Sequence, residues 1–126
     1  MRALILATAL LSASPALAFL SENSERVQGS GSGRFEVLAS PGQGASVSWC
    51  AAGDYVIRGL GLTPDTRIWR VTAPPRKAGE GVGFALSPEG AQKSGLLALG
   101  LKDESLSAGA AEALCYGQKA SWPTSD

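Results

Sequence analysis

The densest run of side chains suited to binding combines three arginines with two aromatic residues in the middle of the chain. Arginine offers a planar fork of N–H donors to carboxylate or phosphate, and aromatic rings offer large, rigid contact surfaces. The run predicts a surface patch made of Tyr55, Arg58, Arg67, Trp69 and Arg70. The alternative is that Trp69 lies in the core and that the arginines are ordinary charges at a sheet edge.

One charged pair occurs at helical spacing in the same region. Asp54 and Arg58 are separated by the i, i+4 interval that places opposite charges on one face of a helix. Because an exposed pair of this kind contributes roughly a few tenths of a kcal/mol, we expect a solvated ion pair.

Catalysis by the common side chains is not favoured. The sequence contains no histidine, which removes the commonest general base and the commonest metal ligand. We therefore predict no catalytic residue, no metal site and no cofactor, and the leading hypothesis is a non-catalytic binding or interaction module. The alternative is a small enzyme that uses serine or lysine, which requires burial to lower a lysine pKa at Lys77, Lys93, Lys102 or Lys119.

The charge balance excludes a strongly basic binding surface. The chain carries 11 Lys and Arg against 11 Asp and Glu, so it lacks the positive excess of a nucleic-acid-binding domain. The predicted partners are another envelope protein or an anionic surface component, and nucleic acid is not expected.

Residues 1–18 predict a signal peptide. Arg2 precedes a short apolar run, and the segment ends in Ala16-Leu17-Ala18, a cleavage motif with small residues at its first and third positions. The apolar run is shorter than the roughly 18 to 20 residues of a membrane-spanning helix. We therefore expect cleavage after Ala18, a periplasmic or secreted protein, and no membrane span in the mature chain.

The two cysteines, Cys50 and Cys115, predict a disulfide. An exported protein matures where disulfides form and persist, and two cysteines allow one intramolecular pairing. Closing so long a loop would stabilise the fold by about 4 kcal/mol. The alternative is a redox pair or a reactive thiol, but redox pairs usually have Cys-x-x-Cys spacing, which neither cysteine has.

The elements that must position these residues follow from hydrophobic periodicity. Residues 19–33 end in a glycine-serine run typical of a flexible segment, residues 34–116 form a single domain, and residues 117–126 are a C-terminal tail. Helical spacing predicts one helix over residues 46–60 and a second after a cap at Ser105. Alternation predicts strands at residues 34–38, 67–72, 82–86 and 97–101. We predict an α+β fold in which a small antiparallel sheet of about four strands carries both helices on one face, with one disulfide.

Four segments together carry a family resemblance. They are Phe35-Glu36-Val37, the stretch from Trp49 to Tyr55, Arg67-Ile68-Trp69, and a late helix that ends in Cys115. In this combination the chain resembles an uncharacterised family of small secreted two-cysteine proteins of alphaproteobacteria. The resemblance implies a bacterial envelope location and a Cys50–Cys115 bridge, and it carries over no activity.

Overall fold

A computed structural model describes residues 18–96 and 104–121, and within these ranges the chain forms six strands and two α-helices. In chain order the elements are β1 (Phe19–Leu20), β2 (Arg26–Gly31), β3 (Arg34–Val37), α1 (Ala45–Asp54), β4 (Arg67–Arg70), β5 (Val82–Ala85), β6 (Leu106–Ser107) and α2 (Ala108–Ser121). A π-helical turn, Tyr55–Gly59, continues α1. No helix of the described ranges is long and apolar enough to cross a membrane.

The strands form one antiparallel sheet in the order β1-β2-β3-β5-β4-β6. The predicted α+β class with two helices and an antiparallel sheet is confirmed, whereas the prediction of about four strands is wrong. β1 and β6 have two residues each, and so short a strand shows no alternation from which it can be recognised. The predicted strand at residues 97–101 lies outside the described residues, as do residues 1–17 of the predicted signal peptide.

The segment predicted to be flexible, residues 19–33, contains β1 and β2. β2 pairs with β3 in a register that sets Val27 opposite Val37, and both side chains are buried. Ser32 and Gly33 have φ angles of 56° and 72°, the left-handed conformations that tight hairpin turns require. The glycine-serine composition therefore reflects the turn of a hairpin.

The helix α1 lies at the centre of the core. Its residues from Ser48 to Asp54 are all buried, because the helix packs against both the sheet and α2. Toward the sheet, the Trp49 ring meets Phe84 of β5 edge-on, with 4.8 Å between ring centroids. Toward α2, Gly53 permits a close approach, since a Cβ there would lie 2.5 Å from the backbone nitrogen of Glu112.

The predicted Cys50–Cys115 disulfide is confirmed and joins α1 to α2, with 5.0 Å between the two Cα atoms. The second helix begins slightly later than the sequence predicts. Ser105 precedes β6, and the Ser107 side-chain oxygen accepts the Ala110 N–H at the start of α2. α2 continues to Ser121, so the first residues of the predicted C-terminal tail are helical.

Candidate functional site

The predicted arginine and aromatic patch does not form one surface. Alternation along β4 places Arg67 and Trp69 on one face of the sheet and Arg70 on the other, where it is 3% exposed. The half-buried Tyr55 ring packs against Phe35 with 4.8 Å between centroids. The expectation of an exposed Arg70 is therefore wrong.

Arg67, the first residue of β4, contacts the residue that precedes β6. Its guanidinium donates to the Ser105 hydroxyl at 2.7 Å and to the Ser105 carbonyl at 3.0 Å. Trp69, which the alternative interpretation places in the core, is half-buried, whereas Trp49 is fully buried. These contacts give Arg67 a role in holding the chain around β6.

Arg58 and Asp54 do not form the predicted solvated pair. They form a partly buried ion pair, which we call the Asp54 junction. The Asp54 side chain is 0% exposed while that of Arg58 is 51% exposed. Arg58 donates from Nε and Nη2 to the two Asp54 oxygens at 2.5 Å each, and the Glu22 N–H donates to Oδ2 at 2.9 Å. The Arg58 guanidinium also lies 5.2 Å from the centre of the Phe19 ring. One ion pair thus joins α1 to the N-terminal strands.

Glu112 of α2 adds a third carboxylate to this junction. Oxygens of Glu22, Asp54 and Glu112 lie within 4.8 Å of one another. Burial alone would raise the pKa of Asp54, but hydrogen bonds from Arg58 and the Glu22 N–H hold it below its usual value. Burial and the Asp54 charge raise the pKa of Glu112. Since Arg58 and the Glu22 N–H already occupy the Asp54 oxygens, a cation would have to displace the guanidinium.

A separate cavity of about 520 Å³ opens at the beginning of α1. This volume falls in the range of about 300–1,000 Å³ typical of small-molecule sites. The cavity wall combines the start of α1, the loop after β4 and the inner face of the sheet; its residues are Gln43, Gly44, Ala45, Ser48, Arg70, Pro74, Pro75, Arg76, Val82 and Gly95. Two arginines therefore face one concave space.

Arg70 is the buried charge of this cavity. Its Nε donates to the Thr72 carbonyl at 2.7 Å and its Nη1 to the Ser94 carbonyl at 3.2 Å. A guanidinium carries five N–H donors, so these two bonds leave further donors without a partner among residues 18–96 and 104–121. Within the described residues no carboxylate forms an ion pair with Arg70. Burial, and secondarily the charge of Arg76, lower the pKa of Arg70.

Two further positive features line the same cavity. Arg76 is half-buried and donates to the carbonyls of Glu80 at 3.0 Å and Ser40 at 3.2 Å. The N-cap residue of α1 is Gly44, which provides no side-chain cap, and the first turn contains no acidic residue. The N–H groups at a helix start carry a partial positive charge that favours an anion. Two guanidiniums and a helix terminus thus face the cavity.

Gln43 presents an unused hydrogen-bond acceptor. Its Nε2 donates to Glu25 Oε2 at 3.1 Å and to the Leu38 carbonyl at 3.0 Å. Its Oε1 is buried and has no hydrogen-bond partner within the described part of the chain. Since the amide nitrogen is held by two acceptors, the side chain is fixed with Oε1 as its free atom.

The lysine or serine enzyme of the sequence analysis requires a base beside its nucleophile. Of the described residues, those that line the cavity include one serine and neither a lysine nor a carboxylate. The Ser48 hydroxyl donates to the Gly44 carbonyl at 3.4 Å. This arrangement supplies no general base for nucleophilic attack, and its donors suit the binding of an anion.

The sequence analysis did not predict the cavity, nor that Gln43 and Arg76 line it.

Comparison of the chain with protein-family models, with curated proteins and with solved structures finds no match. The resemblance to small secreted proteins of alphaproteobacteria therefore stays a prediction.

Proposed function

We propose that this protein is an exported, non-catalytic binding module whose cavity at the start of α1 holds the anionic group of a ligand. The observation that carries the proposal is Arg70, a guanidinium that is 3% exposed, lines the cavity and has no carboxylate partner in the described chain. A buried charge without a counter-charge is costly. A bound anion supplies that counter-charge.

Charge complementarity at the cavity extends beyond Arg70. Arg76 and the uncapped start of α1 add positive potential on the same wall, and helix N-termini are established anion-binding elements. A carboxylate, phosphate or sulfate group accepts hydrogen bonds from these donors in parallel. The partner predicted from the sequence, an anionic component of the cell envelope, is retained with this cavity as its docking point.

We propose a location in the periplasm or outside the cell. The Cys50–Cys115 disulfide supports this location, because disulfides persist in oxidising compartments, and the first 18 residues carry a signal-peptide pattern. Mass spectrometry of protein recovered from a periplasmic fraction should find Phe19 as the first residue and an oxidised cysteine pair. Recovery of the reduced, full-length chain from the cytoplasm would contradict the location.

Anion binding is tested by calorimetric titration of inorganic phosphate, sulfate and acetate into the disulfide-intact protein at low ionic strength. We expect at least one of these anions to bind, with affinity falling as salt rises. Arg76→Gln should weaken that binding about tenfold or more, because it removes charge-assisted hydrogen bonds.

The matched control is Arg34→Gln. Arg34 is exposed, lies outside the cavity and donates to one backbone carbonyl, that of Glu89, so its replacement changes the net charge by the same amount. Binding should be the same in Arg34→Gln and in the unaltered protein. Equal weakening in the two variants, or no binding of any of the three anions, would refute the proposed function.

A further inference from the structure

The cavity at the start of α1 is much larger than the anionic group that we propose it binds. A water molecule takes up about 30 Å³ in the liquid, so a cavity of about 520 Å³ exceeds the volume of a phosphate or a carboxylate several times over. Small-molecule sites of this size are lined mostly by apolar groups, with a few polar groups that fix the orientation of the ligand. The space beside the anionic group therefore has room for a further part of the same ligand.

Arg70 is open to this cavity through one nitrogen. Its Nε and Nη1 donate to the carbonyls of Thr72 and Ser94, whereas its Nη2 has no acceptor in the described chain. Among the side chains that the structure describes, Gln43 Oε1 is the one fully enclosed polar atom without a partner. The unpartnered Nη2 is therefore not fully enclosed, and it is the atom of Arg70 that a ligand oxygen can reach.

Apolar groups lie directly beside this guanidinium. A Cβ atom placed on Gly95 would lie 2.7 Å from Arg70 Nη1. The same point is 3.3 Å from the Ala45 Cβ and 3.4 Å from the Pro74 Cβ. All four residues line the cavity, and Val82 adds a further apolar residue to its wall. A hydrocarbon group attached to the bound anion therefore meets apolar surface.

The cavity wall, over the residues that the structure describes, contains no partner for a positively charged group. It includes two arginines and no carboxylate. An ammonium group there would be repelled by both guanidiniums and would lose its hydration against the apolar groups. The part of the ligand beyond the anion is therefore uncharged.

From these features we infer that the ligand is a small organic acid, with one anionic group on an uncharged, apolar body. The anionic group accepts hydrogen bonds from Arg70 Nη2, and the body packs against Ala45 and Pro74. Gly95 has a defined part in this arrangement, because a side chain there would displace Arg70 Nη1 from its place. The inference rests on the proposed anion-binding function and adds the chemical class of the ligand.

Calorimetric titration of four probes tests the class of ligand. They are acetate, hexanoate, hexanamide and 6-aminohexanoate. Hexanoate should bind at least about tenfold more tightly than acetate, because each buried methylene strengthens binding by about threefold to fourfold. Hexanamide, which has the same body and no anion, should show no binding. 6-Aminohexanoate should bind about tenfold more weakly than hexanoate or worse, because its ammonium must leave water.

Two glycine variants test the position of the ligand. Gly95→Ala should weaken hexanoate binding about tenfold or more, because the added Cβ displaces the Arg70 guanidinium. Gly90→Ala is the matched control: the φ angles of Gly90 and Gly95 are 76° and 77°, so alanine strains the backbone equally at both positions. Gly90 lies outside the cavity, and a Cβ there would lie 3.6 Å from Arg34 Nη2, an ordinary contact distance. Equal hexanoate affinity in the two variants would overturn the inference.

Failure of the inference is distinguishable from failure of the proposed function. If acetate or phosphate binds in an Arg76-dependent way but hexanoate binds no more tightly than acetate, or 6-aminohexanoate binds as tightly as hexanoate, the cavity is an anion site and the inference of an apolar body is wrong. If hexanamide binds as tightly as hexanoate, or if acetate, phosphate, sulfate and hexanoate all fail to bind, the proposed function is wrong and the inference with it.

Discussion

Two buried charges in this protein differ in whether a side chain of opposite charge contacts them. Asp54 in the core of α1 has Arg58 on both of its oxygens and a backbone N–H besides. Arg70 on the inner face of the sheet has two carbonyls and, in the described chain, no carboxylate. The first charge is compensated within the protein and joins three parts of the fold. The second has no counter-charge in the described chain, and the proposed function assigns that counter-charge to a bound anion.

The comparison separates residues that stabilise the fold from residues that we propose bind a ligand. Removing a compensated buried charge should destabilise the protein, because its partner loses its counter-charge. Removing an uncompensated one should affect stability little and binding strongly. The following predictions test that separation, beginning with the largest effect on stability.

Loss of the disulfide should have the largest effect. Cys50 and Cys115 join the same two helices that meet at the Asp54 junction. Replacing both cysteines by serine should lower the melting midpoint by more than about 10 °C, since the bridge contributes about 4 kcal/mol. Calorimetric melting measures the shift, and anion binding at low temperature should survive. A change in midpoint within the error of the scan would show that the helices do not need the bridge.

Removal of the compensated charge should come next. Asp54→Asn should lower the free energy of unfolding by roughly 1–3 kcal/mol, because a buried acceptor of charged hydrogen bonds is lost. Urea unfolding measures the change, and Asp65→Asn, at an exposed turn carboxylate, is the control. If the two variants are equally stable, the junction has no special role in the fold.

Replacement of Arg70 tests the other side of the comparison. Arg70→Met keeps an aliphatic stem and removes the uncompensated charge, so the free energy of unfolding should change by less than about 1 kcal/mol. The Ser94 carbonyl still accepts the Trp49 indole N–H, which limits the loss. Anion binding should disappear. A variant that is destabilised as much as Asp54→Asn would identify Arg70 as a structural residue.

The sequence predicts the long periodic elements and not the cavity. Strands around residues 34–38, 67–72 and 82–86 and the first helix are found because their periodicity is clear over several residues. A signal for Arg70 was present: alternation in Arg67-Ile68-Trp69-Arg70 puts Arg70 on the same face as Ile68. If Ile68 faces the core, so does Arg70.

No such signal exists for the other side of the cavity. Gln43, Arg76 and Gly95 are brought to one space by the tertiary fold, and each stands in a segment without periodicity. The Asp54 junction is similar, since Glu22 and Glu112 are far from Asp54 in the chain and meet it only through the N-terminal strands and α2. Spacing within one helix revealed Arg58 but could not reveal that the carboxylate is buried.

The smallest effect should be a pH dependence carried by Glu112. Its pKa is raised in the folded protein by burial and by the charge of Asp54. A carboxyl with a raised folded pKa stabilises the fold while protonated, and this contribution is lost as pH rises through the folded pKa. Glu112→Gln removes the charge and should raise the free energy of unfolding at pH 7 by less than about 1 kcal/mol.

The pKa of Asp54 is lowered in the folded protein, whereas that of Glu112 is raised. It is lowered by Arg58 and the Glu22 N–H, so its contribution is present above the ordinary carboxyl range and is lost as pH falls through its folded value. Urea unfolding of Glu112→Gln from pH 7 to pH 3 should therefore show an advantage over the unaltered protein that shrinks toward acid, while both lose the Asp54 contribution. An advantage that is constant with pH would show that Glu112 does not sense the Asp54 charge, and that the junction consists of Asp54 and Arg58 alone.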